Sequence, residues 1–598
     1  MTDPPAGAEY EHRRTGRESE AWRLEGREQL AGRWRIAAFL AIVSVFLIVP
    51  TSNPLFILWL SLAVIAFLAA VLLHRRVIGA LERTRRAAGY FRSGLDRVHD
   101  QWAGHGATGE RYLDAKHPYA ADLDLFGRAS LFQYLCDAHT PAGQDILASW
   151  LLTPAEPDTV RARQSAVAEL RRNVDLREAH GVLGDPGKPE LKTRHLLSWP
   201  DAAPVLTGRA GPILAVVLGV LALAGVVAWA VFDAGPSPLL IVVMIEVVIV
   251  ARVWARAREV MRDSQAVLAE LAAFLPVLRL VESQRFESAL LRSLSDMLKV
   301  DGEPPSRRVA RLARLLDGWD SAVRNQFTLP VALLLMVPVH IVYAVDRWRL
   351  RDGRRVRAWL DAVGNFEALV SLSAFAYEHA DYPIPDVAPG GPTLDADGLA
   401  HPLIPAARRI GNDIRLGPEP ELLLVSGSNM SGKSTLLRAI GVNVVLAFAG
   451  APVCARRLRV SPFAVATAMR QGDSLQDGVS AFYAEIRRLQ AIREYMRGPL
   501  PVLFLLDEIL RGTNSHDRRV GAEAVIDALL RGGAIGLVST HDLALAEIVD
   551  RLGPQAANVH FEDELEDGQV RFDYRLRPGI VPRGNGLVLL RLLGFELR

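Results

Sequence analysis

Nine consecutive residues, Gly427, Ser428, Asn429, Met430, Ser431, Gly432, Lys433, Ser434 and Thr435, stand between the apolar stretch Glu421–Ser426 and a helical pattern beginning at Thr435–Ile440. They satisfy the spacing G-x-x-x-x-G-K-[ST]. Glycines at both ends let backbone N–H groups converge on phosphate oxygens at a helix N-terminus, whose dipole favours negative charge. In that setting Lys433 reaches the β- and γ-phosphates and the Ser434 hydroxyl ligates Mg²⁺. The expected ligands of all nine residues are therefore ATP and Mg²⁺. A second apolar stretch, Pro501–Leu506, ends in Asp507-Glu508, about seventy residues further on. Asp507 is placed to hold Mg²⁺ through water, and Glu508 to orient and deprotonate the attacking water. A third, Ala534–Ser539, ends at Thr540-His541-Asp542. Ligands of open parallel sheets collect beyond the strand C-termini, so His541 is expected at the γ-phosphate. Lys433, Glu508 and His541 form the expected catalytic set.

These residues need a parallel sheet to bring them together. The chain after Thr393 alternates short apolar strands with helices, as such a sheet does. Tyr382–Thr393, with four prolines and two adjacent glycines, marks the boundary before it. Upstream, apolar positions three and four apart predict helices at Gln144–Leu152, Val160–Arg171, Ala257–Leu280 and Ser306–Leu316.

Four apolar runs interrupt that helical part. Ile36–Val49 and Leu55–Leu73 are joined by Pro50–Pro54, and Pro212–Phe232 and Leu239–Val250 by Asp233–Pro238. About 20 helical residues cross the hydrocarbon layer of a bilayer, and each short run is paired with a long one. The pairs read as two transmembrane hairpins. Arg33, Arg35, Arg75 and Arg76 flank the first and Arg209, Arg252, Arg256 and Arg258 the second, while neither turn carries Lys or Arg. Both turns are thus expected outside, with the termini and the nucleotide loop in the cytoplasm. The charged first thirty-five residues do not read as a signal peptide. Glu246 within the fourth run could serve ion handling, face a partner helix or mark a helix end. A fifth run, Phe327–Val345, contains Pro330, Pro338 and His340 and has Arg on both sides, so a buried or membrane-lying helix is expected there.

Composition narrows the rest. A net charge of +2 announces neither a nucleic-acid-binding field nor a disordered acidic chain. Lysine is confined to Lys116, Lys188, Lys192, Lys299 and Lys433, an arginine bias that points to a GC-rich bacterial genome and so to a bacterial inner membrane. Cys136 and Cys454 have no metal-ligand spacing and suit a reducing compartment.

A transporter of the ABC class would carry an L-S-G-G-Q-like segment before the acidic strand; here stands 472-GDSLQDGVSAFYAEIRRL-489. At these residues the chain resembles the MutS mismatch-repair ATPases. Their phosphate loop is similar to GSNMSGKST, with Ser428 and Ser431 where Pro and Gly are usual, and Asp507-Glu508-Ile509 with Arg511-Gly512-Thr513 resembles their D-E-x-x-R-G-T run. The resemblance implies that Ser480 reaches a partner subunit's ATP in a homodimer, although Ala481 replaces the usual Thr. It also implies that His401-Pro402 and Asn412-Asp413-Ile414 lead into the adenine pocket, making Asn412 and Ile414 nucleotide-binding residues. Asn558-Val559-His560, Tyr574–Gly579 and Gly586-Leu587 resemble the end of that ATPase domain. Leu123–Phe126, Thr140–Gly143, Trp150–Pro154, Arg163-Gln164 and Glu367–Ala374 resemble the edges of the family's helical core.

The fold class expected is an α/β P-loop (ABC-type) ATPase domain at the C-terminus, preceded by an all-α MutS-like core and lever region that transmembrane helical hairpins interrupt. The segments expected are 1–35 (cytoplasmic), 36–73 (hairpin), 74–208 (helical core), 209–251 (hairpin), 252–385 (lever or clamp) and 394–598 (ATPase). No Phe-x-Glu wedge precedes residue 118 and the chain stops at Arg598, so neither mismatch reading nor a nuclease extension is expected. The expected partners are a second copy, the lipid bilayer and duplex DNA, held without sequence reading by Arg347–Arg357. A membrane machine or a nucleotide-gated scaffold without a DNA role is the alternative.

Overall fold

The computed structural model describes residues 5–184, 196, 199, 210–299, 302–324, 327–428, 430–469, 481–511, 513–542, 545–566 and 569–581 of the 598. Helices occupy the chain up to residue 378: α1 (Ala6–Ile48), α2 (Phe56–Val98), α3 (Leu131–Leu135), α4 (Pro141–Leu152), α5 (Pro157–Arg172), α6 (Val174–Gly181), α7 (Ala210–Phe232), α8 (Ser237–Ser283), α9 (Ala289–Leu298), α10 (Pro305–Arg324), α11 (Leu329–Leu334), α12 (Val337–Asp352) and α13 (Val356–Glu378). Strands and helices then alternate: β1 (Asp386–Val387), β2 (Leu394–Leu399), β3 (Asn412–Leu416), β4 (Leu422–Ser426), α14 (Lys433–Ala449), β5 (Arg457–Val460), β6 (Ala464–Ala468), α15 (Ala481–Tyr495), β7 (Val502–Asp507), α16 (Ser515–Arg531), β8 (Ile535–Thr540), α17 (Glu547–Leu552), β9 (Ala556–Glu566) and β10 (Gln569–Pro578).

The chain divides into two compact units. One comprises Met1–Asp137, Leu147–Gly184 and Ala368–Arg598; the other comprises Ala138–Ile146 and Asp185–Glu367. In the first unit, α1 and α2 are 43 residues each, about 65 Å long, and run through the boundaries expected at 35/36 and 73/74. Neither contains proline, and their charged halves pair within and across the two helices. Arg13–Glu9 (2.6 Å), Arg85–Glu25 (2.6 Å) and Arg92–Glu18 (3.0 Å) are examples. The polar residues therefore extend the hairpin instead of forming a separate segment. In the apolar halves the side chains face outward, with Leu47 80% and Ile57 75% exposed.

At the polar end of this hairpin lies a buried charge network. Arg97 of α2 donates two bonds of 2.7 Å to Glu378 of α13 and bonds of 3.0 and 3.2 Å to Asp137. Tyr10 of α1 packs on Phe91 and Tyr377, and its hydroxyl accepts from Arg177 at 3.2 Å.

The strand-containing half of this unit has two sheets. The smaller runs β1-β5-β2-β3, and the larger β10-β9-β4-β8-β7-β6. In the larger sheet β9, β4, β8, β7 and β6 are parallel, and only β10 is antiparallel, against β9. Strands β4, β7 and β8 are apolar without alternation, as expected of strands covered by helices on both faces. The core under β7 is built by Phe504, Leu506, Ile526, Leu529 and Val538.

In the second unit, α8 continues through the boundary expected at 251/252, while α7 is confined to its apolar run. The run Phe327–Val345 is broken rather than continuous. Met336 takes a left-handed φ of 50° between α11 and α12, and Val339, Val342 and Val345 of the later half are buried. Helices α1, α2, α7 and α8 are long and apolar enough to cross a membrane. The two segments that flank the helical core in sequence meet here. Glu367 accepts from the backbone N–H groups of His139 (3.1 Å) and Thr140 (3.2 Å) and from the Thr140 hydroxyl, ordering the start of α4. A side chain at Gly143 would collide with Glu367.

Candidate nucleotide site

Strand β4 delivers the chain to a turn at Gly427, and α14 leaves it at Lys433. Gly432, with φ of 104°, is the left-handed residue that makes the transition, and an added Cβ would stand 3.0 Å from the Tyr574 ring. The Lys433 ammonium is 4% exposed and folds back over its own loop, donating to the carbonyls of Gly427 (2.8 Å) and Ser428 (2.7 Å). It also lies 3.5 Å from Glu508. Burial lowers its pKa from the ordinary lysine value, and Arg511 adds to that, with Asp507 and Asp563 opposing.

The acidic pair comes from the end of β7. The Ser434 hydroxyl donates to Asp507 at 2.6 Å, so the two expected Mg²⁺ residues are already neighbours. Asp507 is in register with Ser539 of β8, whose hydroxyl donates to its other oxygen. The Glu508 backbone N–H donates to the Ser539 carbonyl and hydroxyl, both at 3.1 Å. These bonds hold Glu508 in a left-handed conformation (φ 51°), the kind of strain that concentrates at functional sites. Its side chain is 5% exposed, lies 3.0 Å from His541 Nδ1 and pairs with Arg511. Burial, followed by Arg511, Arg518 and Lys433, pushes the His541 pKa below the usual histidine value, so the ring is neutral at pH 7. A neutral imidazole with its proton on Nδ1 can orient the Glu508 carboxylate and keep Nε2 for another group.

Beside Gly432 opens a cavity of about 490 Å³. His401, Arg409, Asn412, Thr435, Phe561 and Tyr574 are among its walls. Asn412 fixes one wall by donating to the Tyr574 carbonyl (3.0 Å) and accepting from the Leu576 N–H (2.7 Å). Burial, then Arg438 and Arg409, lower His401 to about 4, so it too is neutral. Arg409 leads away from the cavity, bonding the Tyr382 hydroxyl. The Tyr382 ring stacks on His379 at 4.6 Å, and His379 hydrogen-bonds Tyr134 at 2.7 Å.

Of the residues expected from sequence, Gly427, Gly432, Lys433, Ser434, Asp507, Glu508 and His541 converge. Ser428 contributes its carbonyl, Ser431 is buried in the turn and Thr435 lines the cavity, whereas Met430 is 84% exposed. Ile414 is not brought to the site: two residues beyond Asn412 on β3, it is fully buried and does not line the cavity. Asn429 and Ser480, with Gly586-Leu587 downstream, lie outside the described residues. Sequence reading missed Ser539, Arg511, Arg409 and Tyr574 as site residues. Ser539 had a usable signal, being the strand-end hydroxyl one step before Thr540-His541.

Residues 423–596 match the family described as MutS domain V. The chain is MutS-like. It is 34% identical over 245 residues to the DNA mismatch repair protein MutS 2 of Halobacterium salinarum, covering 40% of this chain and 28% of that one. It is 32% identical over 249 residues to DNA mismatch repair protein MutS of Natronomonas pharaonis, covering 40% and 28%. It is 30% identical over 275 residues to DNA mismatch repair protein MutS of Nitratidesulfovibrio vulgaris, covering 42% and 30%. The MutS-like chain thus spans less than a third of the length of these curated relatives. The match takes in the whole constellation from Gly427 to His541 and Tyr574. The rest of the MutS-like chain is largely helical.

Replacing Lys433 by Ala removes the one ammonium that can leave the loop carbonyls for a phosphate. Loss of a charge-assisted bond costs about 1.5–3 kcal/mol, so the Kd for Mg-ATP is expected to rise roughly 10- to 150-fold. Isothermal titration of the full chain checks this; an unchanged Kd would place the phosphates elsewhere.

Proposed function

We propose that the chain is a membrane-anchored, MutS-like ATPase of the P-loop class that hydrolyses Mg-ATP between two copies of itself and clamps duplex DNA without reading mismatches. The observation that carries this reading is the meeting of Lys433, Ser434, Asp507, Glu508 and His541 beside a cavity of about 490 Å³. The loop N–H groups and Lys433 take the β- and γ-phosphates, and the adenosine enters the cavity between Asn412, Tyr574 and His401. Ser434 and Asp507 would hold Mg²⁺, which would supply positive charge to offset that of the phosphates. Water attacks the γ-phosphorus as its proton passes to Glu508, and the bond to the ADP oxygen breaks. His541 donates from Nδ1 to orient Glu508, which leaves Nε2 an acceptor and not a donor to the γ-phosphate. Ser480 completes the site of the second copy.

The outward apolar halves of α1 and α2 support a bilayer around the first hairpin, and the length and composition of α7 and α8 support one around the second. The arginine flanks orient the nucleotide site and both termini to the cytoplasmic side of a bacterial inner membrane. The contacts from Arg409 through Tyr382 and His379 end beside Glu378, the partner of Arg97. They offer a route from the nucleotide cavity to the base of the first hairpin.

Within Arg347–Arg357, the arginines 347, 351, 354 and 357 are exposed. Arg349 is not: it is buried against Asp346 at 2.9 Å, and Arg308 is buried against Asp352. The exposed four support phosphate contacts, and the relatives named above are DNA mismatch repair proteins. The buried pairs favour the second reading, a membrane machine that uses this segment only for packing. ATP turnover of the full chain in detergent, with and without duplex DNA at about 50 and 200 mM salt, separates the two. DNA stimulation that fades with salt is expected, with the slope of log K on log salt reduced by about three when Arg351, Arg354 and Arg357 become Ala. Turnover indifferent to DNA at both salts would leave the second reading standing.

A further inference from the structure

Glu246 lies on α8 inside an apolar stretch, on the membrane-crossing part of that helix. It is 4% exposed, and its Oε1 has no hydrogen-bond partner among the described residues. A carboxyl group left unpaired in apolar surroundings is costly and marks function more often than packing. The residue lines a cavity of about 660 Å³ between α8 and α11, with Val243, Val247, Val250, Trp254 and Leu333 among the other walls. No Lys, Arg or His is among the lining residues, so the wall supplies no cation to compensate the carboxylate. The volume falls within the range of small-molecule sites, which are mainly apolar with a few polar groups that fix orientation. Here one acid provides all of the charge.

We infer that this cavity binds a hydrophobic cation: a molecule with an apolar body and a protonated amine that pairs with Glu246. The apolar body lies against Val247, Val250 and Leu333, and the ammonium donates to the unsatisfied carboxylate oxygen. Trp254 lines one side, its ring already packed by Trp319 and the Arg258 guanidinium, so the ion pair with Glu246 carries the recognition of the cation. The inference rests on α8 lying in the bilayer, which keeps water from solvating the acid, but it needs no ATP chemistry.

The probe is 4-phenylbutylamine, with 4-phenylbutanol as its neutral counterpart, in equilibrium dialysis against the full chain purified in detergent. Saturable binding of one amine per chain is expected, weakened at least about tenfold for the alcohol and for Glu246→Gln. Leu333→Trp fills the cavity without touching the acid and is expected to abolish binding of both probes. The wild-type comparison of amine with alcohol stands even if a variant does not fold. Equal binding of amine and alcohol, non-saturable uptake, or binding untouched by Leu333→Trp each overturns the site. If no amine binds and Glu246→Gln instead dissociates copies of the chain, a second copy holds the acid and the inference is wrong. Alkaline carbonate extraction of native membranes tests the bilayer reading separately: release of the chain refutes anchoring whatever the dialysis shows.

Discussion

Replacing Glu508 by Gln is expected to leave Mg-ATP binding nearly intact while slowing hydrolysis about 10²- to 10⁴-fold, the range for loss of a general base. Gln keeps the size of the side chain and can still bond His541, so the loop and the cavity keep their shape. What it loses is the ability to accept the water proton. The loss should appear in kcat with little change in KM, because the water is activated only in the transition state. Single-turnover hydrolysis of radiolabelled ATP by the full chain measures it. Two features of the site make the expectation specific. Glu508 is 5% exposed, so bulk water cannot substitute for it, and the Ser539 bonds hold its backbone in place whichever side chain it carries. A variant that hydrolyses at the wild-type rate would transfer the role of base elsewhere, His541 being the next candidate.

Arg97→Ala is expected to have a comparable energetic effect, on stability rather than catalysis. Glu378 and Asp137 would then be left facing a hole, and removing one partner of a buried ion pair costs about 3–5 kcal/mol. Arg97 is 9% exposed and the Glu378 side chain fully buried, so water cannot rescue them. The urea midpoint of the full chain, followed by tryptophan fluorescence, should fall sharply. Arg92→Ala serves as the control: Arg92 also pairs with a glutamate, Glu18, but 63% of its side chain is exposed and the midpoint should barely move. If both variants behave alike, the network at the base of the first hairpin is no more than surface pairing.

The contrast between these arginines shows what sequence could and could not convey. The nucleotide loop, the acidic pair and the histidine were legible because local spacing dictates their geometry: a strand, a tight turn, a helix. The parallel order of β4, β8 and β7 followed from strand ends that had to meet, and the structure places Asp507 in register with Ser539. Arg97, Asp137, Glu378 and Arg177 were not legible, since their partners lie 40 to 281 residues away and nothing in an arginine-rich sequence marks a buried one. The same holds within Arg347–Arg357, where helical periodicity turns Arg349 inward and no local signal marks it. The hairpins were legible as apolar runs but not in full length, because charged helix and apolar helix join without any breaker at Arg33–Ile36 or Leu73–Arg75. Ile414 differs from Asn412 because a motif names neighbours in sequence, while of β3 the structure brings Asn412 to the cavity wall.

The most direct test of the nucleotide site is photolabelling of the full chain with 8-azido-ATP and Mg²⁺, followed by peptide mapping. The expected result is label on peptides containing His401–Asn412 and Tyr574, suppressed by excess ATP and reduced in Lys433→Ala. Label confined to other peptides, or label on these that ATP does not displace, would contradict the assignment of the cavity and its loop to ATP.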